Sequence, residues 1–326
     1  MGLQNIYKNI IFRDETTWGT SVAGTTRTLQ IVSSSLNANP NKTLVEDTRT
    51  SNKGRDRMVR LKNEIDGDIV AYSSPEVLNF MFETVNGSAG TTSAVGTSAI
   101  LITYNQNTDG NMTSVTLVED RNNSQEVFYG VRGKKLAMKA SDGLVESTLT
   151  VMAKTRGAGA TLANLVGETV KPLVFADMVI TMGLPGYTQV STLLCEDWSL
   201  EYDNGLEKTF LSGDRNAARM DQMVPMVSGQ FTIFHEGSSY LNPTYGSSEV
   251  YIRIEGIYDS SEGLIAGVTP YYLRIDIPRA EITLNERNFE QGALAKEVIS
   301  FTAMFDQGTS TLWKPQLTTG FDIEAA

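Results

Sequence analysis

Between Met58 and Phe82 the chain reads MVRLKNEIDGDIVAYSSPEVLNFMF, and few folds accommodate that order of signals. Met58, Val59, Leu61, Ile65, Ile69 and Ala71 recur mostly at spacing two, the period of a half-buried strand. The run predicts a strand, a break near Gly67, a second strand, and a short helix opening at Ser74-Pro75. Ser74 suits the N-cap, and Pro75 suits the first turn because the N–H it lacks would have no intrahelical acceptor there. The second half echoes this unit as Val224-Pro225-Met226-Val227-Ser228-Gly229-Gln230-Phe231-Thr232-Ile233-Phe234. Gly229 answers Gly67, Phe231 answers Ile69 and Phe234 answers Tyr72.

The rest of the chain fits around this unit. Residues 1–26 form an N-terminal arm centred on Glu15-Thr16-Thr17-Trp18-Gly19-Thr20, and 27–155 a first β module. A Gly/Ala-rich linker, 156–169, separates it from a second β module, 170–326. A strand near Thr28–Asn37 is followed by a long polar stretch, Ala38 to Arg57, carrying Lys42, Glu46, Asp47, Arg49, Lys53, Arg55, Asp56 and Arg57. Loops of that length inside a domain are usually functional, and the mixed charges mark a projecting segment that contacts a partner. Leu206 to Met223, with Glu207, Lys208, Asp214, Arg215, Arg219 and Asp221, occupies the matching place in the second half. Gly87–Gly96 reads as a flexible tip. Ala99–Tyr104 and Ser114–Glu119 predict a hairpin turning at Asp109-Gly110, and Val127–Ala140 and Leu144–Ala153 a second one turning at Ser141-Asp142-Gly143. A second short helical turn is expected near Ser238–Leu241, and Thr302-Ala303-Met304-Phe305 resembles Thr150-Val151-Met152-Ala153.

Charge narrows the partners. The net charge is −11, with 17 Lys+Arg against 16 Asp+Glu in residues 1–165 and 10 against 22 in 166–326. So acidic a second half repels a phosphate backbone, which disfavours tight nucleic-acid binding. No apolar run approaches the ~20 residues of a membrane helix. The opening MGLQNIYKNI lacks the pattern of a secretory signal, so assembly in a cytoplasm is expected, without a membrane partner.

Constellations for chemistry are sparse. His235 is the only histidine, and His235-Glu236 has no second histidine four residues on. Cys195 is the single cysteine, expected to be buried in a strand as a small hydrophobe. Asp66-Gly67-Asp68 and Glu196-Asp197 lack the ligand spacing of a calcium loop. Gly157-Ala158-Gly159 has Leu162 in place of the third glycine of a dinucleotide loop. The expectation is a protein that is not an enzyme and uses no cofactor or metal.

Several short phrases together resemble the tail tube, or major tail, proteins of long-tailed bacteriophages. They are Glu15-x-x-Trp18-Gly19-Thr20, Ser74-Pro75-Glu76-Val77-Leu78, Tyr129-Gly130 with Lys135-Leu136-Ala137, and Trp198-Ser199-Leu200 leading to Asp203-Asn204-Gly205-Leu206-Glu207. Val227-Ser228-Gly229-Gln230-Phe231, Ile277-Pro278-Arg279-Ala280 and Glu297-Val298-Ile299-Ser300-Phe301 complete the set. The resemblance implies a mainly β fold of two tandem tail-tube-like β-sandwich or barrel modules, each with a short flanking α-helix. It implies a structural virion protein whose rings stack into a non-contractile tube for DNA delivery, in contact with terminator, tape measure and tip proteins. A duplicated chain needs three copies for a pseudo-six-fold ring, and a hexamer of chains is the alternative. Inter-ring contacts are expected from Lys42, Glu46, Asp47, Arg49, Lys53, Arg55, Arg57, Asp214, Arg215 and Arg219. Glu201, Asp203 and Glu207 are candidates for an acidic lumen along which DNA slides without specific binding. A β-sandwich decoration or adhesion module binding a host or virion surface is the competing reading.

Overall fold

The computed structural model describes residues 9–20, 27–46, 55–96, 99–107, 112–120, 125–158, 170–186, 188–234, 249–258, 265, 269–288 and 295–320. The chain opens with β1 (Asn9–Glu15), the short β2 (Arg27–Gln30) and β3 (Ser33–Ser34), then β4 (Asn37–Glu46) and β5 (Arg55–Tyr72). Helix α1 (Pro75–Asn86) leads to β6 (Thr91–Val95), β7 (Ala99–Thr103), β8 (Ser114–Asp120), β9 (Gln125–Ala140), β10 (Glu146–Met152) and β11 (Thr155–Ala158). The second half holds β12 (Met178–Leu184), β13 (Thr188–Leu193), β14 (Cys195–Asp203), β15 (Glu207–Thr209) and β16 (Arg219–Asp221). It continues with β17 (Met226–Phe234), β18 (Glu249–Ile257), β19 (Tyr272–Asn288), β20 (Lys296–Ala303) and β21 (Lys314–Thr319). The protein is therefore mainly β. Nineteen strands join in one antiparallel sheet, β15 and β16 form a separate pair, and the described strands do not close a barrel.

Two sets of six strands follow the same path. In the first half the neighbours run β1–β8–β9–β10–β5–β4; in the second they run β12–β18–β19–β20–β17–β14. The irregularities coincide as well. The β8–β9 ladder slips between Val115 and Leu117, and the β18–β19 ladder slips between Val250 and Ile252. Where β9 meets β10 the pairing skips Lys134; where β19 meets β20 it skips Thr283. Bulges of this kind bend a strand and raise its twist. They let the long strands β9 and β19 carry one ladder at their N-terminal ends and another at their C-terminal ends. At the first slip β9 holds Gly130, whose φ is +65°, and β19 holds Pro278, which has no N–H to give to a ladder. The two paths meet where β9 pairs with β14, Lys139 opposite Ser199 and Ala137 opposite Glu201.

β5 runs unbroken through Gly67, contrary to the expected strand break. Gly67 serves a close approach instead: a Cβ there would lie 2.4 Å from Leu36 Cα. Its counterpart Gly229 is similarly confined, 2.5 Å from the Phe301 ring and 2.6 Å from Ser199 O. Ser74 caps α1 as expected, its Oγ accepting from Val77 N at 3.3 Å, and Pro75 opens the first turn. The helix ends at Gly87 in the left-handed conformation, φ +68°.

The helix lies deeper than a flanking element would. Of its residues only Glu76 and Glu83 are not buried. It packs across β9 and against β2 and β21, so a strand near residue 315 covers a helix near residue 80. Trp313 stacks on Tyr202 at 4.6 Å, meets Phe82 edge-on at 5.8 Å, and donates Nε1–H to Asn86 Oδ1 at 3.2 Å. From the other side Asn204, fully buried, donates to Val85 O and Gly133 O at 3.0 and 2.6 Å. The hydrophobic core is continuous across both halves. The second expected helix, near Ser238–Leu241, and His235 fall outside the described residues.

Two other expectations change. β7 does not pair with β8; it pairs with β6 and with the C-terminal β21, Leu101 opposite Thr318. The hairpin at Ser141-Asp142-Gly143 does form, with Gly143 at φ +83°. Residues 9–15, expected in an arm, form β1 in the sheet. Glu15 fixes the turn that follows: Oε1 accepts from Gly130 N and Thr116 Oγ1 at 2.8 Å, and Oε2 from Gly19 N and Ser114 Oγ at 2.7 Å. Trp18 donates to Gly130 O at 3.2 Å and lies under the Lys154 ammonium, 4.3 Å from the ring centroid. The Glu-x-x-Trp-Gly phrase is thus a structural clasp.

Candidate assembly and channel surfaces

A continuous polar face crosses the middle of the large sheet. Period-two alternation sends Leu136, Leu149, Val151, Leu200, Tyr202, Phe231, Ile299 and Phe301 into the core. The residues between them line a shallow trough of about 580 Å³ on the opposite face of β5, β10, β9, β14, β17, β20 and β19. Hydroxyl and amide groups dominate it: Thr148, Thr150, Ser199, Ser228, Gln230, Thr283, Ser300 and Thr302. Its lining charges are two of each sign, Asp68 and Glu201 against Lys135 and Lys139. Each has a neighbour. Lys135 meets Glu201 at 2.7 Å, Lys139 meets Glu146 at 2.8 Å, and Thr150 donates to Asp68 at 2.6 Å. Half-exposed pairs like these add little stability, roughly 0–1 kcal/mol. The two ion pairs cancel charge locally, whereas Asp68 keeps its charge beside a hydroxyl donor.

The three acidic lumen candidates separate. Glu201 lines the trough, neutralised by Lys135. Asp203 follows two residues on along β14 and accepts from Gly205 N at 2.8 Å, holding the turn. Glu207 stands exposed on β15, in the small separate pair. The face the structure presents is hydroxyl-rich rather than acidic, a distinction that composition averages away.

The polar stretch Ala38–Arg57 is largely a hairpin: β4 pairs with β5 from Asn37 opposite Asp66 out to Glu46 opposite Arg55. Its outer part stands clear of the body, because alternation fails there: Met58, Val59, Arg60 and Leu61 are all exposed, as are Asn41, Lys42 and Thr43. Met58 is 63% exposed and Leu61 51%, an apolar presence that a free surface does not need. Asp47, Arg49 and Lys53 lie outside the described residues, and Glu46, Arg55 and Arg57 lie on the two strands.

Leu206–Met223 folds down instead of projecting. Leu206, Ala217 and Met220 are buried in a satellite core with Met112, and Arg132 donates to Met220 O at 2.8 Å and Met112 O at 2.7 Å. This segment braces the hairpin base: Asn63 N donates to Arg215 O at 2.9 Å, Asn63 Nδ2 to Asn216 Oδ1 at 3.0 Å, and Lys208 Nζ to Ile65 O at 2.6 Å. Burial pushes the Lys208 ammonium down to a pKa of about 8, against the pull of Asp66 and Glu64. Asp214, Arg215 and Arg219 stay exposed, Arg219 beside Asp221 at 2.9 Å. Leu211, Met223, Val224 and Met226 add exposed apolar surface, with Val224 at 88%. The two long polar segments, read apart in sequence, therefore meet at the hairpin base. Cys195 is half-buried, its thiol donating to Asp197 O at 2.8 Å and pushed up to a pKa of about 12 by burial and then by Asp197, so it is inert near neutral pH.

A sheet with a neutral polar face, a braced projecting hairpin and a continuous core defines a structural β protein built to join others. The family model for the phage tail tube protein matches residues 9–277, so the chain belongs to the phage tail tube family. No curated protein matches it. Membership makes it a component of the virion tail and points to a non-enzymatic role.

Proposed function

We propose that this chain forms rings that stack into a tube for delivery of DNA into the host, assembled in the host cytoplasm with terminator, tape measure and tip proteins and belonging to a non-contractile tail. Family membership carries the reading, and the hydroxyl-rich face of the sheet supplies its chemistry. A wall of Ser, Thr and Gln with two charges of each sign has no basic array to displace DNA counterions, so it does not trap the backbone. The matching strand paths support two modules in tandem, 27–155 extended by β1 and 170–326, and hence a ring of three chains with pseudo-six-fold symmetry. The hairpin, with Lys42 exposed on it, and the exposed Asp214, Arg215 and Arg219 beneath it are the contacts between rings. That contact is heterologous, so it propagates as a filament.

Electron microscopy of the purified protein, with mass measurement of the smallest ring, tests the reading. Hollow tubes built from three-chain rings are the expected outcome. A protein that stays monomeric at high concentration, alone and with its partner tail proteins, overturns it in favour of a decoration or adhesion module.

A further inference from the structure

The two strand sets match residue by residue, so each half is a control for what the other needs in order to fold. β2 answers β13, β1 answers β12, β8 answers β18, and β11 answers β21 beside the N-terminal ends of β9 and β19. On the face turned away from the main core, one cross-strand row of the first half is Thr28–Ile11–Val118–Val127–Gly157. The same row in the second half is Thr192–Thr181–Arg253–Asp276–Lys314. The next row reads Gln30–Asn9–Asp120–Gln125 in the first half. In the second it reads Leu194–Val179–Glu255–Arg274, with Leu194 one residue past the Ile180–Leu193 pair. Apolar and polar positions have changed places. The first half buries its aliphatic row; the second buries an ion pair, Arg253 Nε to Asp276 Oδ1 at 2.6 Å, and leaves aliphatic groups in solvent. Val179, Leu194 and Ile257, which lies two residues beyond Glu255, are 40–48% exposed.

Nothing in the fold demands the exchange, because the first half builds the same strands without it. Aliphatic groups exposed together at such a place mark a contact surface. Tyr272 and Arg274 stand beside them already ordered: Tyr272 donates its hydroxyl to Glu255, and Arg274 Nη2 meets Asp276 Oδ2 at 2.7 Å. Interfaces are enriched in tyrosine and arginine, and order imposed before binding lowers its entropic cost. Charge narrows the partner. Over the two rows the second half sets Arg253, Arg274 and Lys314 against Glu255 and Asp276, a surplus of one positive charge, where the first half has Asp120 alone. A locally cationic face on a chain of net charge −11 favours an acidic partner. The core lies between this face and the trough, so with the trough toward DNA the face is on the outside of the tube. Contacts that close or stack a pseudo-six-fold ring recur on both modules, whereas this patch occurs on one.

We propose that the Val179–Leu194–Ile257 patch, with Arg274 at its margin, docks an acidic segment of a second protein on the outside of the tube, three copies per ring. This rests on the three-chain ring and adds to it an outer docking surface that only one module carries.

Electron cryomicroscopy of tails from virions, averaged with three-fold symmetry, tests it against tails carrying Val179→Asn with Leu194→Gln, the residues the first half uses. Unmodified tails are expected to show density over the patch that this chain does not account for, three per ring. The double substitution should lower its occupancy more than about tenfold and leave the tube unchanged. Arg274→Gln, which keeps Arg253 on Asp276, should lower the salt concentration at which that density is lost. Mass spectrometry of the same tails identifies the bound chain, and a basic docking segment overturns the charge assignment. A bare patch on intact three-chain tubes overturns the inference and leaves the tube reading standing, as does density built by another copy of this chain or undiminished in the double variant. A protein that forms no rings removes both. Should the double variant fail to fold, the unmodified tails and Arg274→Gln decide, and density indifferent to Arg274→Gln at every salt concentration overturns the inference.

Discussion

At the scale of single residues, close packing gives the sharpest expectations. Gly67→Ala pushes a methyl into the Leu36 backbone, which cannot swing away, so a loss of about 1–3 kcal/mol is expected in urea unfolding of the monomer. Glu15→Ala strands two backbone N–H groups and two hydroxyls at the clasp, and a loss of about 3 kcal/mol is expected by the same measurement. Lys208 gives a pH signature. Its folded pKa, about 8, lies below the ordinary 10.5, so between those values the unfolded chain binds more protons and stability rises with pH. The strain of burying the ammonium is fully present below about pH 8 and relieved above it. Subtracting the stability–pH curve of Lys208→Met from that of the unmodified protein should isolate this rise; a flat difference from pH 8 to 10 would show the ammonium to be solvated.

At the scale of elements, the helix and hairpin divide stability from assembly. Trp313→Ala removes the lid over Phe82 and Asn86 and should cost about 3–5 kcal/mol. Replacing Lys42–Arg60 by an Asn-Gly turn, which leaves the Asn63 and Lys208 anchors in place, should instead give folded subunits and single rings without tubes in the microscope. Normal-length tubes from that deletion would remove the hairpin from the inter-ring contact. Much of this level was legible in sequence: Ser74-Pro75 fixed the helix start, Asp142-Gly143 the β9–β10 turn, and period two the buried faces of β10 and β20. Gly67 misled because a glycine chosen for close approach looks like a break. The outer part of the β4–β5 hairpin, Ala38 to Arg57, was read as a loop because its mixed-charge sequence has no apolar alternation. β7 was paired with its sequence neighbour because nothing local in Ala99–Thr103 points to a partner at Lys314–Thr319. The trough face was invisible as a unit, since it is every second residue of seven strands, and so Glu201 and Glu207 looked alike though only Glu201 lies on it.

At the scale of the whole molecule, the neutral face predicts how DNA travels. Thr148→Lys with Ser199→Lys places two unpaired cations in the trough, and phage carrying both changes should release DNA more slowly at low salt and recover as salt rises. Salt-independent release by such phage would place the trough away from the DNA path. The helix that anchors the first half also sets a timetable for synthesis. Asn86 leaves the ribosome 227 residues before Trp313, so at about 5–20 residues per second the apolar faces of α1 wait roughly 10–45 s for their cover. Until then the nascent chain has edges but no finished core, and a subunit becomes ready to polymerise only after Trp313 has been made.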